Sequence, residues 1–171
     1  MRIGYADPPY PGMSHYYRDH PDFGGEVDHG ALIEVLEQDF DGWALHTAST
    51  TLAQVLAVCP SDTRVGAWVK PFASFKKNVT TAYAWEPVLF KGGRRRPITQ
   101  PTVRDWIAEP ITLRRGLTGA KPEAVCWWVF EILGMTPDDE LCDLFPGSGA
   151  VQRAWDSWQS QGSLLAERNV L

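Results

Sequence analysis

The sequence predicts an α/β protein built on a mostly parallel sheet covered by helices on both faces. Two observations carry that prediction: short apolar strand candidates alternate with helical stretches along the chain, and residues 140–155 read as strand, glycine turn, helix. Met1 to Ala6 forms a short buried strand (2–6), followed by a substrate loop (7–25) and a helix (27–38) whose Leu32, Val35 and Leu36 face the core. A strand (42–47), a helix (50–58) and a strand (64–69) follow. A loop and strand (82–91) then lead into a basic connection (92–120). The predicted remainder is a helix (122–133) with most of Val125, Trp128, Val129 and Ile132 as core, a strand (140–144), a helix (150–160) and a last strand (163–167).

Length and composition agree with one domain. The chain has 171 residues, 44% hydrophobic, with eight tryptophans. That is enough to bury roughly two thirds of the unfolded surface. No apolar run approaches the ~20 residues of a membrane span, and the first residues already form a strand, so no signal peptide is expected. Cys59, Cys126 and Cys142 are odd in number and lack C-x-x-C spacing, which points to reduced thiols in a cytoplasm. The four histidines fit no metal spacing, and there is no internal repeat.

Net charge is −5, but it is segregated. From Arg64 to Lys121 there are twelve Lys or Arg against three acids. Its centre is Lys91-Gly92-Gly93-Arg94-Arg95-Arg96, and Arg104, Arg114 and Arg115 extend it. Such a patch is the footprint of a phosphate-binding surface, or else a solvated loop with a chance cluster.

Asp7-Pro8-Pro9-Tyr10 is the most informative segment. It follows a strand, at the sheet edge where open α/β folds bind ligands. Consecutive prolines fix φ and restrict the residue before them, so the carbonyls of Asp7 and Pro8 are held in place. A carboxylate and a carbonyl together can accept both hydrogens of an exocyclic amine, and Tyr10 offers a face for a flat ring. The alternative is a proline-rich turn after an edge strand. In Asp143-Leu144-Phe145-Pro146-Gly147-Ser148-Gly149, the glycines let backbone approach a ligand at a helix amino terminus. Glu167 lies about 20 residues beyond that turn, where a Rossmann-like unit places an acid on a ribose. Otherwise it is a surface acid.

Together these segments resemble the DNA amino-methyltransferases, and more narrowly the circularly ordered subgroup in which D-P-P-Y precedes F-x-G-x-G. Gly42 to Thr47, Arg64 to Pro71 and Ala84 to Lys91 resemble the family's next two strands and its antiparallel hairpin strand. Lys121-Pro122 matches a lysine-proline beside the cofactor. The resemblance implies a Rossmann-like three-layer sandwich and a methyl group moved from S-adenosylmethionine (SAM) to an amine of a DNA base. Adenine N6 is favoured over cytosine N4, because D-P-P-Y is commoner among adenine enzymes. The base must be flipped out or single-stranded.

The resemblance gives catalysis to Asp7, Pro8, Pro9 and Tyr10. It gives the cofactor pocket to Asp7, Phe145, Gly147 and Gly149, with Glu167 on the ribose and Lys121, beside Pro122, on the methionine carboxylate. Asp143 contacts the methionine ammonium or is structural. The basic residues Lys91, Arg94, Arg95, Arg96, Arg104, Arg114 and Arg115 fall to the nucleic acid.

Two departures stand out. The chain ends four residues after Glu167, so the sheet is expected to be one edge strand short, with the adenine pocket shallow or completed by a homodimer partner or another subunit. Residues 92–120 replace a target-recognition region, so sequence specificity is expected to be short or weak. The location expected is the cytoplasm of a bacterial or phage-infected cell. Alternatives are an RNA adenine amino-methyltransferase and a non-catalytic nucleic-acid-binding subunit.

Overall fold

A computed structural model describes residues 1–18, 24–71, 79–111 and 120–168, including the backbone but not the side chains of 16–17 and 162–168. Its centre is a six-stranded sheet. β1 (Arg2–Ala6) lies between β2 (Gly42–His46) and β6 (Glu140–Asp143), parallel to both. On the far side of β2 comes β4 (Trp85–Gly92), antiparallel to β2 and to β3 (Arg64–Val69). The short β5 (Trp106–Ala108) closes that side, parallel to β3. β4 is therefore the single reversed strand among those described, as expected of the hairpin strand.

Side-chain alternation along the strands builds two cores. On one face Ile3, Tyr5, Ala44, Val88 and Phe90 pack against α3 (Glu123–Ile132) and α4 (Ala150–Arg168) through Val129, Phe130 and Trp155. Ala6, Trp43, Leu45 and Leu89 cover the other face with Leu32, Ile33 and Leu36 of α1 (His29–Asp39) and Val55 of α2 (Leu52–Leu56). Asp28 caps α1, accepting from the Gly30 and Ala31 amides at 2.9 and 3.1 Å. Val35 departs from its predicted core position and is 43% exposed.

Two elements differ from the sequence prediction. Residues 163–167 are not a strand, because α4 runs on to Arg168. A short Leu-Leu-Ala run is ambiguous by period, and Leu, Ala, Glu and Arg are good helix formers, so the helix propagates through Gly162. Conversely, β5 arises inside the stretch read as a connection; only three residues long, it gives too little pattern to detect. β6 is consequently an edge of the described sheet.

Gly42 admits the return of β4, since an added Cβ would fall on the Gly93 backbone. Gly42→Ala is expected to destabilise by about 3 kcal/mol, because backbone cannot step aside as a side-chain tip can. Thermal denaturation should show a Tm about 10 °C lower.

Candidate active site

The carboxyl ends of β1, β2, β3 and β6 share one edge of the sheet. Asp7 follows β1 directly; Pro8 is buried, while Pro9 and Tyr10 are half-buried. The Met13 amide donates to the Tyr10 carbonyl at 2.8 Å and closes the turn. The structure thus places the tetrapeptide where its sequence predicted, with one carboxylate oxygen of Asp7 already engaged. Lys121, just before α3, brings its Nζ to 2.9 Å from Asp7 Oδ1 and 2.8 Å from Glu86 Oε1.

Behind this pair lies a buried network that the sequence did not reveal. Glu86 receives Lys70 Nζ on Oε2 at 2.9 Å and His46 Nδ1 on Oε1 at 2.8 Å. A neutral His46 donating from Nδ1 must accept at Nε2, where the Tyr5 hydroxyl lies 2.7 Å away. His46 and Glu86 are 0% and 5% exposed. Burial opposes the Lys121 ammonium, but Asp7, Tyr10 and Glu86 outweigh it and hold its pKa well above the ordinary value. Burial likewise opposes the Glu86 carboxylate, yet Lys121, His46 and Lys70 hold it well below the usual range. The Tyr10 phenol is raised mainly by burial; Lys121 opposes the rise, and Asp7 and Glu86 reinforce it. Asp7, His46 and Glu86 offer three ligand atoms within 4.8 Å of one another, but the Lys121 ammonium bridges the two carboxylates and supplies the cation they require. One available signal for this network was a histidine ending an apolar strand, with an acid near the start of another.

β6 contributes the second half of the site. The Leu144 amide donates to the Tyr5 carbonyl at 2.9 Å, which sets the ends of β6 and β1 side by side. Asp143 Oδ1 accepts from the Phe145 amide at 3.2 Å, whereas the buried Oδ2 has no partner among the described residues. Burial pushes the Asp143 carboxyl up to about 6, with the Asp7 charge adding to the effect and the Phe145 bond opposing it. The turn then passes through Gly147 and Gly149 at φ +43° and +70°, backbone that side chains rarely adopt. Arg153 Nη1 donates to the Ser148 carbonyl at 2.8 Å and braces the turn. Phe145 is half-buried beside it, and Pro122 is the buried residue that precedes α3. Glu167 lies on α4, so the strand end that was to present it to a ribose does not form.

The basic run lies elsewhere. Because β4 runs antiparallel, its Glu86 end meets the Asp7 edge while Gly92 pairs with Gly42 at the opposite end of the sheet. Lys91 lies five positions beyond Glu86, about 17 Å along the strand. There Lys91 pairs with Glu37 and Asp62 at 2.6 and 3.2 Å, and Arg94 makes two 2.9 Å bonds to Asp139. Arg96 Nη2 donates to the Glu131 carbonyl at 3.3 Å, and Arg104 lies over the Trp106 ring. An open cleft of ≈ 560 Å³ at this amino end is lined by Arg64, Phe90, Lys91, Arg95, Arg96 and Asp105. Arg114 and Arg115 fall outside the described residues. Cys59, Cys126 and Cys142 are free thiols.

No protein-family model and no curated protein matches the sequence. Solved structures do match the fold. One is the M1.HpyAVI–SAM complex, at 16% identity and a TM-score of 0.61, the match covering 92% of this chain and 78% of the other. A second is M1.HpyAVI, at 13% identity and a TM-score of 0.59, covering 92% and 76%. At these identities the likeness is one of architecture, and it establishes the Rossmann-like methyltransferase fold, mostly parallel with one reversed strand. Among the described residues no helix is long and apolar enough to cross a membrane.

Proposed function

We propose that this chain transfers a methyl group from SAM to the exocyclic amine of a DNA base, with adenine N6 favoured over cytosine N4. One observation supports this above all: Asp7 and Asp143 end adjacent strands at the same sheet edge, the first fixed by a lysine and the second holding an oxygen without a partner among the described residues. A buried carboxylate oxygen beside a positive-φ glycine turn fits a ligand carrying an ammonium group, and the solved fold-mate with SAM accords with that chemistry.

In this reading Asp143 accepts from the methionine ammonium, while Phe145, Gly147 and Gly149 form the wall and floor of the pocket. Bound there, SAM supplies a methyl group already activated by its sulfonium, so no side chain need serve as a nucleophile. What remains for the protein is alignment, which can lower a barrier by several kcal/mol. Asp7 and the Pro8 carbonyl take the two hydrogens of the amine and stabilise positive charge developing on its nitrogen. The Tyr10 ring stacks on the base. The proton that the methylated amine sheds passes to water.

Transfer of labelled methyl groups to oligonucleotides lacking either adenine or cytosine, and to RNA copies, tests the substrate. Label is expected on adenine-containing DNA. Label confined to RNA would make this an RNA enzyme. Oligonucleotide binding without SAM binding would favour the non-catalytic subunit.

The distal basic residues enter the reading as contacts to phosphates away from the target base. Arg95→Ala with Arg96→Ala is expected to weaken DNA binding and to reduce the salt slope by about one for each phosphate no longer neutralised, with kcat unaltered. Binding titrations across a salt series measure this; an unchanged slope would remove these arginines from the interface.

A further inference from the structure

We propose that Lys121 is a positioning residue for Asp7: its ammonium, anchored by Glu86, grips Oδ1 of Asp7 and leaves Oδ2 to meet the incoming amine. The inference rests on the amino-methyltransferase reading and deepens it. It also departs from the cofactor-carboxylate role that the resemblance gives to this lysine.

The geometry argues for it in three steps. Lys121 is 9% exposed and its charge is matched twice, by Asp7 at 2.9 Å and Glu86 at 2.8 Å. Two of the three ammonium protons are thereby committed to carboxylates of this chain, and the charge is already balanced before any cofactor carboxylate arrives. Next, Glu86 cannot swing away, since His46 at the end of β2 and Lys70 just past β3 hold it and Tyr5 fixes His46 in turn. The grip on Asp7 is therefore referred to the sheet itself and not to a flexible loop. Finally, buried ion networks contribute little stability compared with well-packed apolar groups, yet this one occupies the reaction edge. Its effect there is to fix a carboxylate on a turn that is otherwise partly solvated.

Removing Lys121 leaves Asp7 facing Glu86 and Asp143, two carboxylates, with Lys70 beyond Glu86. His46, Tyr5, Tyr10 and Cys126 complete the surroundings. Asp7 must then bind a proton more readily.

The test combines kinetics of Lys121→Met with a carbon-13 NMR titration of the Asp7 carboxyl. Expected are a kcat about 100-fold lower, a SAM KM within about threefold of wild type, and an acid limb of kcat moved upward. Glu86→Gln, which leaves Lys121 beside Asp7, should lower kcat without that upward shift. A raised SAM KM with kcat preserved would overturn the proposal and make Lys121 a cofactor ligand. Should Lys121→Met fail to fold, the double variant with Glu86→Gln removes the surplus carboxylate and the same measurements apply.

The NMR titration needs no substrate, so the two readings can fail separately. An upward shift of the Asp7 titration in the variant supports the positioning role even in a protein that methylates nothing. An unshifted Asp7 in an active methyltransferase overturns the positioning role alone.

Discussion

Asp7→Ala is expected to abolish methyl transfer, with kcat reduced by about 10³-fold, while SAM binding persists. The size follows from the loss of an acceptor aimed at charge that develops only in the transition state. Folding should survive, because Lys121 retains Glu86 at 2.8 Å and Glu86 retains His46 and Lys70. Loss of the Asp7 charge also removes one of the influences that raise the Asp143 carboxyl. The variant should therefore hold SAM at somewhat lower pH than wild type does. Calorimetry of the variant with SAM, paired with single-turnover transfer assays, separates the two effects. Wild-type turnover would remove Asp7 from the mechanism.

Asp143→Asn should act in the opposite sense on stability and on binding. The Asp143 carboxyl is raised to about 6, mainly by burial, so its ionised form burdens the folded protein. A folded pKa above the unfolded value near 3.9 means this burden is absent below about pH 4, grows as pH rises, and is complete above about pH 6. The amide is isosteric and uncharged. It should stabilise the ligand-free protein near pH 8 by about 1 kcal/mol, a figure discounted for partial solvent screening, and leave it unaltered at pH 3.5. The same change removes a charged acceptor from the ligand's ammonium, expected to weaken SAM binding about 30- to 100-fold. In the wild type, affinity should fall roughly tenfold per unit below pH 6 as Asp143 takes up its proton. Calorimetry from pH 5 to 8 on both proteins checks this; a flat profile would detach Asp143 from the ligand. Stability withheld until a ligand arrives is the usual cost of a functional site.

Much of this was legible in the chain. Asp7-Pro8-Pro9-Tyr10 and the turn through Gly147 and Gly149 depend on local backbone chemistry, which proline and glycine write directly into sequence. The order of strands and helices followed from alternation, and the reversed strand from resemblance. What escaped depends on tertiary placement. Residues 163–167 carry apolar residues too few to show a period, and only continuation of α4 decides their state. Where the basic run lies relative to the site was not legible, because charge summed along a chain has no direction in space. An antiparallel β4 carries Glu86 to the reaction edge and Lys91 to the other. Lys121 is visible in the sequence as a site residue, but its partners are not, since Glu86 and His46 sit in apolar strands where either reads as an isolated polar residue.

The most direct measurement is mass spectrometry of nucleosides digested from unmethylated DNA after incubation with SAM and the wild-type protein, with Asp7→Ala alongside. The account predicts a methylated amino nucleoside, N6-methyldeoxyadenosine foremost, from the wild type and none from the variant. A folded wild type that binds SAM and DNA yet leaves every nucleoside unmodified would contradict it.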